Sequence, residues 1–186
     1  MVARMTSSRA LAVRIGSFLA MSVLGGGCDL RTKQWAEDHL SDLPRMSMRV
    51  IDPWLELALS YNRGTAFSVV PDLDQARWVF GVFGVLVVIG LFVYAARGKA
   101  HWLDAVAAGT IAGGAIGNGF DRLFRAAPGG GTGVVDFIKV SFPWGGSWPT
   151  FNVADALVAV GVALLLVSQQ LERRRRDPGA ARAAPE

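Results

Sequence analysis

Nineteen consecutive residues, Trp78 to Ala96, read WVFGVFGVLVVIGLFVYAA without a charge. As a helix this stretch would be about 29 Å long, close to the roughly 30 Å hydrocarbon thickness of a bilayer. The whole chain has 186 residues, 52% of them hydrophobic and only 18% charged. A soluble domain usually carries about 25% charged residues. The excess apolar content points to a small integral membrane protein. The net charge of +4 is modest and its arginines are clustered, which argues against a nucleic-acid binder. A lone Cys28 excludes an intrachain disulfide and a multi-cysteine metal site.

Three further segments are apolar enough for spans: Leu11 to Gly27, Leu103 to Phe120 and Phe151 to Leu171. The first starts after Arg4 and Arg9 and ends in Gly25-Gly26-Gly27 before Cys28, which also fits a cleavable lipoprotein leader. Three apolar segments downstream favour its retention as a span. The expectation is one membrane domain over residues 1–171, with loops at about 28–77 and 121–150, and a basic, disordered tail over 172–186. Residues 1–10, 97–102 and 172–186 hold nine basic residues in 31 positions, against nine in the 80 positions of the two opposite loops. The positive-inside rule then places both termini in the cytoplasm.

The outer loops carry strand-like text. Leu55, Leu57, Leu59 and Tyr61 alternate with Glu56, Ala58, Ser60 and Asn62, and Val134 to Phe142 is a β-prone run ended by Pro143. A small extracytoplasmic sheet on four membrane helices is the expected fold. Ala126 to Gly133, with Pro128 and four glycines, reads as a flexible loop. Gly109, Gly113 and Gly117 recur every four residues, a stripe for close helix contact. Trp144 and Trp148 are expected at headgroup level.

Polar residues gather at one membrane boundary. Asn152 and Asp155 stand three apart at the start of the fourth segment; Asn118, Asp121 and Arg122 stand at i, i+3 and i+4 at the end of the third. Asp136 lies between them in VVDFIKV. Ionisable residues in a span cost at least about 2.5–3.5 kcal/mol at its centre and mark function. Two carboxylates brought together cannot both ionise cheaply, so one keeps a proton; such a pair can activate water and protonate a leaving group. Asp121 reads better as an ion-pair partner of Arg122. His39 and His101 fall on opposite sides of the membrane and read as structural or solvated.

Five blocks then occur in order: DLRTK (Asp29, Lys33), NRGTAFS (Asn62 to Ser68), GGAIGNGFDRL (Gly113 to Leu123), VVDF (Val134 to Phe137) and FNVADA (Phe151 to Ala156). Together they resemble the lipoprotein signal peptidase family, the type II signal peptidases of bacteria, over about Asp29 to Gly161. The resemblance implies a membrane aspartic endopeptidase that cuts prolipoproteins before the diacylglyceryl-modified cysteine. By motif it implies that Asp136 and Asp155 form the catalytic dyad. It further implies substrate-binding or supporting roles for Asn62 and Gly64, for Asn118, Asp121 and Arg122, and for Asn152 and Ala154. Asp29 and Lys33 would buttress the top of the first span.

The implied setting is the bacterial cytoplasmic (inner) membrane, multi-pass, with the active site at the extracytoplasmic face. Its partners would be lipid-modified prolipoproteins and membrane lipids, with no nucleic acid, and the chain a monomer. No metal and no organic cofactor are implied. Three departures from the family pattern stand out: Gly119 in place of a larger apolar residue, Thr65 in place of alanine, and an expanded loop over 126–133. Rival readings are a noncatalytic lipoprotein-binding or assembly protein, which needs no carboxylate pair, and a proton or ion conductor, which would spread polar groups through the bilayer depth.

Overall fold

A computed structural model describes residues 7–64, 73–97 and 101–176, without the side chains of 73–76 and 176. Thr65 and the rest of NRGTAFS after Gly64, the extreme N-terminus and the tail after Arg176 lie outside the described residues. Four helices and three strands follow in the order α1 (Ser7–Leu40), β1 (Ser47–Ile51), β2 (Leu55–Asn62), α2 (Leu73–Ala96), α3 (Trp102–Phe124), β3 (Val134–Val140) and α4 (Val153–Arg176). Three stretches are long and apolar enough to cross a membrane: Ser7–Leu40, Arg77–Ala96 and Val153–Arg175.

Helix α3, the remaining expected span, is the centre of the bundle and packs against α1, α2 and α4. A helix enclosed by three others needs close approach more than it needs apolar bulk. Its buried face is accordingly built of Ala105, Ala107, Ala108, Gly109, Ala112, Gly113, Gly114 and Gly117. A Cβ on Gly109 would sit 2.5 Å from the Phe18 carbonyl oxygen of α1, and one on Gly114 the same distance from that of Ala154 in α4. The glycine stripe thus does the packing work its spacing predicted. His101 opens the helix: its ring accepts from Leu103 N–H at 3.3 Å while Asp104 accepts from His101 N–H at 2.8 Å.

The first helix corrects the expected boundary. It does not stop at Gly25-Gly26-Gly27 but continues through Cys28 to Leu40. Gly25 and Gly26 lie inside it because α3 approaches there: a Cβ on Gly113 would sit 3.1 Å from Gly25 Cα and from Gly26 N. Past Cys28 the buried residues are Asp29, Lys33, Ala36 and Leu40, one face at helical spacing. The loop expected over 28–77 is therefore helical for about its first quarter.

Ala36 and Leu40 are the floor of the sheet, packed with Leu59, Val135 and Phe137. The sheet is antiparallel in the order β1-β2-β3, with Ser47 opposite Ala58, Leu57 opposite Ile138 and Ser60 opposite Asp136. Between Leu57 and Ser60 the register shifts, a local irregularity just before Asp136's partner. The 126–133 loop is a hydrogen-bonded turn rather than a loose one: Ala126 bridges Thr132, and Ala127 N–H donates to the Gly131 carbonyl at 3.0 Å. Its glycines at 129, 130 and 131 all take positive φ, which explains their number.

Candidate active site

The start of α4 is sewn to β3. Phe151 exchanges backbone hydrogen bonds with Ile138 at 2.8 and 3.0 Å, so the residue after it, Asn152, arrives beside Asp136. Asn152 caps α4: its Oδ1 accepts from Asp155 N–H at 3.0 Å, and Asp155 Oδ2 accepts from Asn152 N–H at 3.2 Å. This reciprocal capping box is the structural meaning of the Asn-x-x-Asp spacing. The capping side chain also reaches the other carboxylate, because Asn152 Nδ2 donates to Asp136 Oδ1 at 2.7 Å. Asp136 and Asp155 come from different elements, and Asn152 donates to both carboxylates, from its side chain to Asp136 and from its backbone N–H to Asp155.

Asn118 completes the group from α3. Its Nδ2 donates to Asp155 Oδ1 at 2.9 Å, and its Oδ1 accepts from Asn152 Nδ2 at 3.1 Å and from Lys33 Nζ at 2.7 Å. Asp136 is 4% exposed. Burial, with the neighbouring Asp155 charge adding to it, pushes its carboxyl up from 3.8 to about 6, against hydrogen bonds from Asn62 and Asn152.

Beneath the carboxylates lies a buried charge network. Lys33, with no exposed side-chain surface, sits 2.7 Å from Asp29 and 3.0 Å from Asp121. Asp29 turns its other oxygen to the Ala154 N–H at 2.7 Å, satisfying one of the free donors at the start of α4. Gly117 has to be glycine there, since a Cβ would overlap the Asp29 carboxylate. Asp121 accepts from Val135 N–H at 3.3 Å and from Arg125 Nε at 2.6 Å, and Arg125 also pairs with Glu37. Tyr61 donates to Glu37 at 2.8 Å, and its phenol is pushed up to about 12, first by burial and then by that carboxylate.

The expected Asp121–Arg122 pair does not form. Adjacent residues point to different faces of a helix, so Asp121 turns into the bundle towards Lys33 and Arg125 while Arg122 turns towards β2 and α2. Arg122 donates to the Asn62 carbonyl at 3.0 Å and lies over the Phe80 ring at 5.2 Å. Asn62 Oδ1 accepts from Gly64 N–H at 2.9 Å, and Gly64 has φ +78°, with its missing Cβ 2.9 Å from Arg122 Nη1. Both the backbone conformation and the guanidinium require glycine at that position. All eleven residues singled out in the sequence therefore fall in one connected cluster. Arg125, Glu37 and Tyr61 were missed; the signal available was the four-residue spacing of Asp29, Lys33 and Glu37, and of Asp121 and Arg125.

Asn118 and Arg122 stand at the edge of an apolar groove of about 290 Å³ between α2, α3 and α4, lined by Phe80, Phe83, Val87, Ile111, Ala115 and Val158. Gly119 lies in its wall. No group of three or more His, Cys, Asp or Glu side chains placed to hold a metal ion occurs among the described residues.

Comparison with known proteins identifies the family and the fold. A family model described as signal peptidase (SPase) II matches residues 21–171. The chain is 38% identical over 165 residues to the lipoprotein signal peptidase of Syntrophomonas wolfei, covering 89% of this chain and 97% of that protein. It is also 38% identical over 152 residues to the lipoprotein signal peptidase of Caulobacter vibrioides, covering 80% and 83%. A bacterial membrane enzyme solved by the in meso method at 1.9 Å shares the fold with a TM-score of 0.68 at 24% identity, over 83% of this chain and 92% of that one.

Proposed function

The chain belongs to the signal peptidase II family, which makes it a membrane peptidase of lipoprotein signal peptides, and we propose that Asp136 and Asp155 are the pair that hydrolyses the scissile bond before the diacylglyceryl-modified cysteine. The observation that carries this reading is that Asn152 donates to both carboxylates, from its side chain to Asp136 and from its backbone N–H to Asp155, while Asn118, which also donates to Asp155, stands at the edge of an apolar groove. With Asp136 raised to about 6, one carboxyl of the pair keeps its proton up to about pH 6, well above the ordinary carboxylate range. The ionised partner takes a proton from water as it attacks the carbonyl carbon. The protonated one hydrogen-bonds the carbonyl oxygen, and the leaving amine collects a proton as the tetrahedral intermediate collapses. Arg122 and Asn62 hold the peptide backbone, and the lipid chains lie along the apolar groove with the bilayer.

In this reading α3 crosses the membrane as well. Its 23 residues reach about 35 Å as a helix, and the other three helices shield its polar ends. Four spans, with the basic residues of 1–10, 97–102 and 172–186 on the cytoplasmic side, put the sheet and the carboxylates at the extracytoplasmic face of the bacterial cytoplasmic membrane. The test is cleavage of a diacylglyceryl-modified prolipoprotein in lipid or detergent, beside its unlipidated precursor. Wild-type protein should cut only the lipidated form, and Asp136→Asn and Asp155→Asn should each abolish the cut. Substantial turnover by either folded variant refutes the pair.

A further inference from the structure

Lys33 is buried, touches neither carboxylate of the proposed pair, and yet bonds the group that orients one of them. An ammonium has only protons to give, so the end of Asn118 that faces Lys33 at 2.7 Å is its carbonyl oxygen. The amide nitrogen must then face Asp155 Oδ1, at 2.9 Å, as a donor. The orientation of this carboxamide is dictated by chemistry and is not a free choice between two ends. A donor that cannot turn away favours a negative acceptor.

The two carboxylates are served unequally. Asp155 receives the Asn118 amide at 2.9 Å and the Asn152 backbone N–H at 3.2 Å, and it stands in the first turn of α4, where free N–H groups favour negative charge. Asp136, in a strand with no helix end behind it, receives the Asn62 side chain and Asn152 Nδ2 at 2.7 Å, but the latter nitrogen has two protons and also faces the Val135 carbonyl at 3.2 Å and Asn118 Oδ1 at 3.1 Å. We propose that Lys33 is a positioning residue for the hydrolysis: by fixing which end of Asn118 faces Asp155, it makes Asp155 the ionised member that deprotonates water and leaves Asp136 to carry the proton. This rests on the reading of Asp136 and Asp155 as the catalytic pair.

The other charges around the pair are consistent with this division. The charge of Arg122 on α3 acts on both carboxylates, and β2 contributes the uncharged Asn62. Lys33 is faced by Asp29 on its own helix and Asp121 on α3, with Arg125 and Glu37 behind Asp121.

The experiment is the pH profile of kcat and KM for lipidated-substrate cleavage by wild type, Lys33→Met, and Lys33→Met combined with Asp29→Asn. The double variant removes one cation and one anion, so the buried cluster keeps its net charge and the test survives if Lys33→Met does not fold. The positioning role predicts that kcat falls by at least about tenfold with KM little changed. It also predicts that the acid limb, where the pair takes up its second proton, moves to higher pH in both variants. A loss of active protein with an unmoved acid limb shows Lys33 to be a structural ion pair only and overturns the proposal. A wild type that does not cut the lipidated substrate overturns the peptidase reading itself, a result distinct from an unmoved limb.

Discussion

Replacing Asp136 with Asn should stabilise the protein at neutral pH while removing its catalysis. The buried carboxyl is raised from 3.8 to about 6, which at about 1.4 kcal/mol per pH unit corresponds to roughly 3 kcal/mol. The sign follows from proton binding. Between these two values the unfolded chain has released the proton and the folded protein still holds it, so stability falls as pH rises. The favourable contribution is complete below about pH 3.8 and is spent by about pH 6. Asn has nearly the shape of the protonated acid, and its Oδ1 can still accept from Asn152 Nδ2, so it avoids the loss. Thermal unfolding of purified wild type and Asp136→Asn in one detergent, at half-unit steps from pH 4 to 8, measures the difference. The gap between the two proteins should widen in favour of the variant up to about pH 6 and then stay constant. A gap independent of pH over that range, or one that narrows, would refute the reasoning that the site holds its proton through burial.

Two glycines of α3 should respond oppositely to alanine: Gly117→Ala should lose about 1–3 kcal/mol by overpacking against the Asp29 carboxylate. Gly119→Ala, where a Cβ meets nothing within 4 Å, should gain about 0.5–1 kcal/mol from helix propensity; chemical denaturation of both in parallel decides the matter. Arg125→Leu leaves Asp121 and Glu37 without their shared cation and should cost about 3–5 kcal/mol, seen as a lowered melting temperature largely recovered by adding Asp121→Asn. Tyr61→Phe removes only the hydrogen bond to Glu37 and should cost about 1 kcal/mol, by the same measurement, with cleavage retained.

Helix α3 runs past Gly119 to Phe124 and is packed by the three other helices. Apolar length, the alternating β2 text and the glycine stripe were legible because each is a local period that maps directly onto a face or a span. The Asn152/Asp155 and Asn118/Arg122 spacings were legible for the same reason, since a helix turns short intervals into neighbours. What local spacing could not supply was partner choice. Asp121 pairs across the bundle with Lys33, 88 positions away in sequence, while its own neighbour Arg122 points elsewhere.

By itself, then, the sequence determined the apolar helices, the strand text and the identities of the polar groups, since those depend on composition and period. Only the tertiary structure decided that α1 runs on past its glycines to floor the sheet, and that the Phe151–Ile138 backbone bonds bring the start of α4 to Asp136. It also decided that Asn118 and Asn152 share out their donors between two carboxylates, with Lys33 holding the Asn118 carbonyl oxygen. Burial and distance are properties of the packed chain, and they turn these polar side chains into a site.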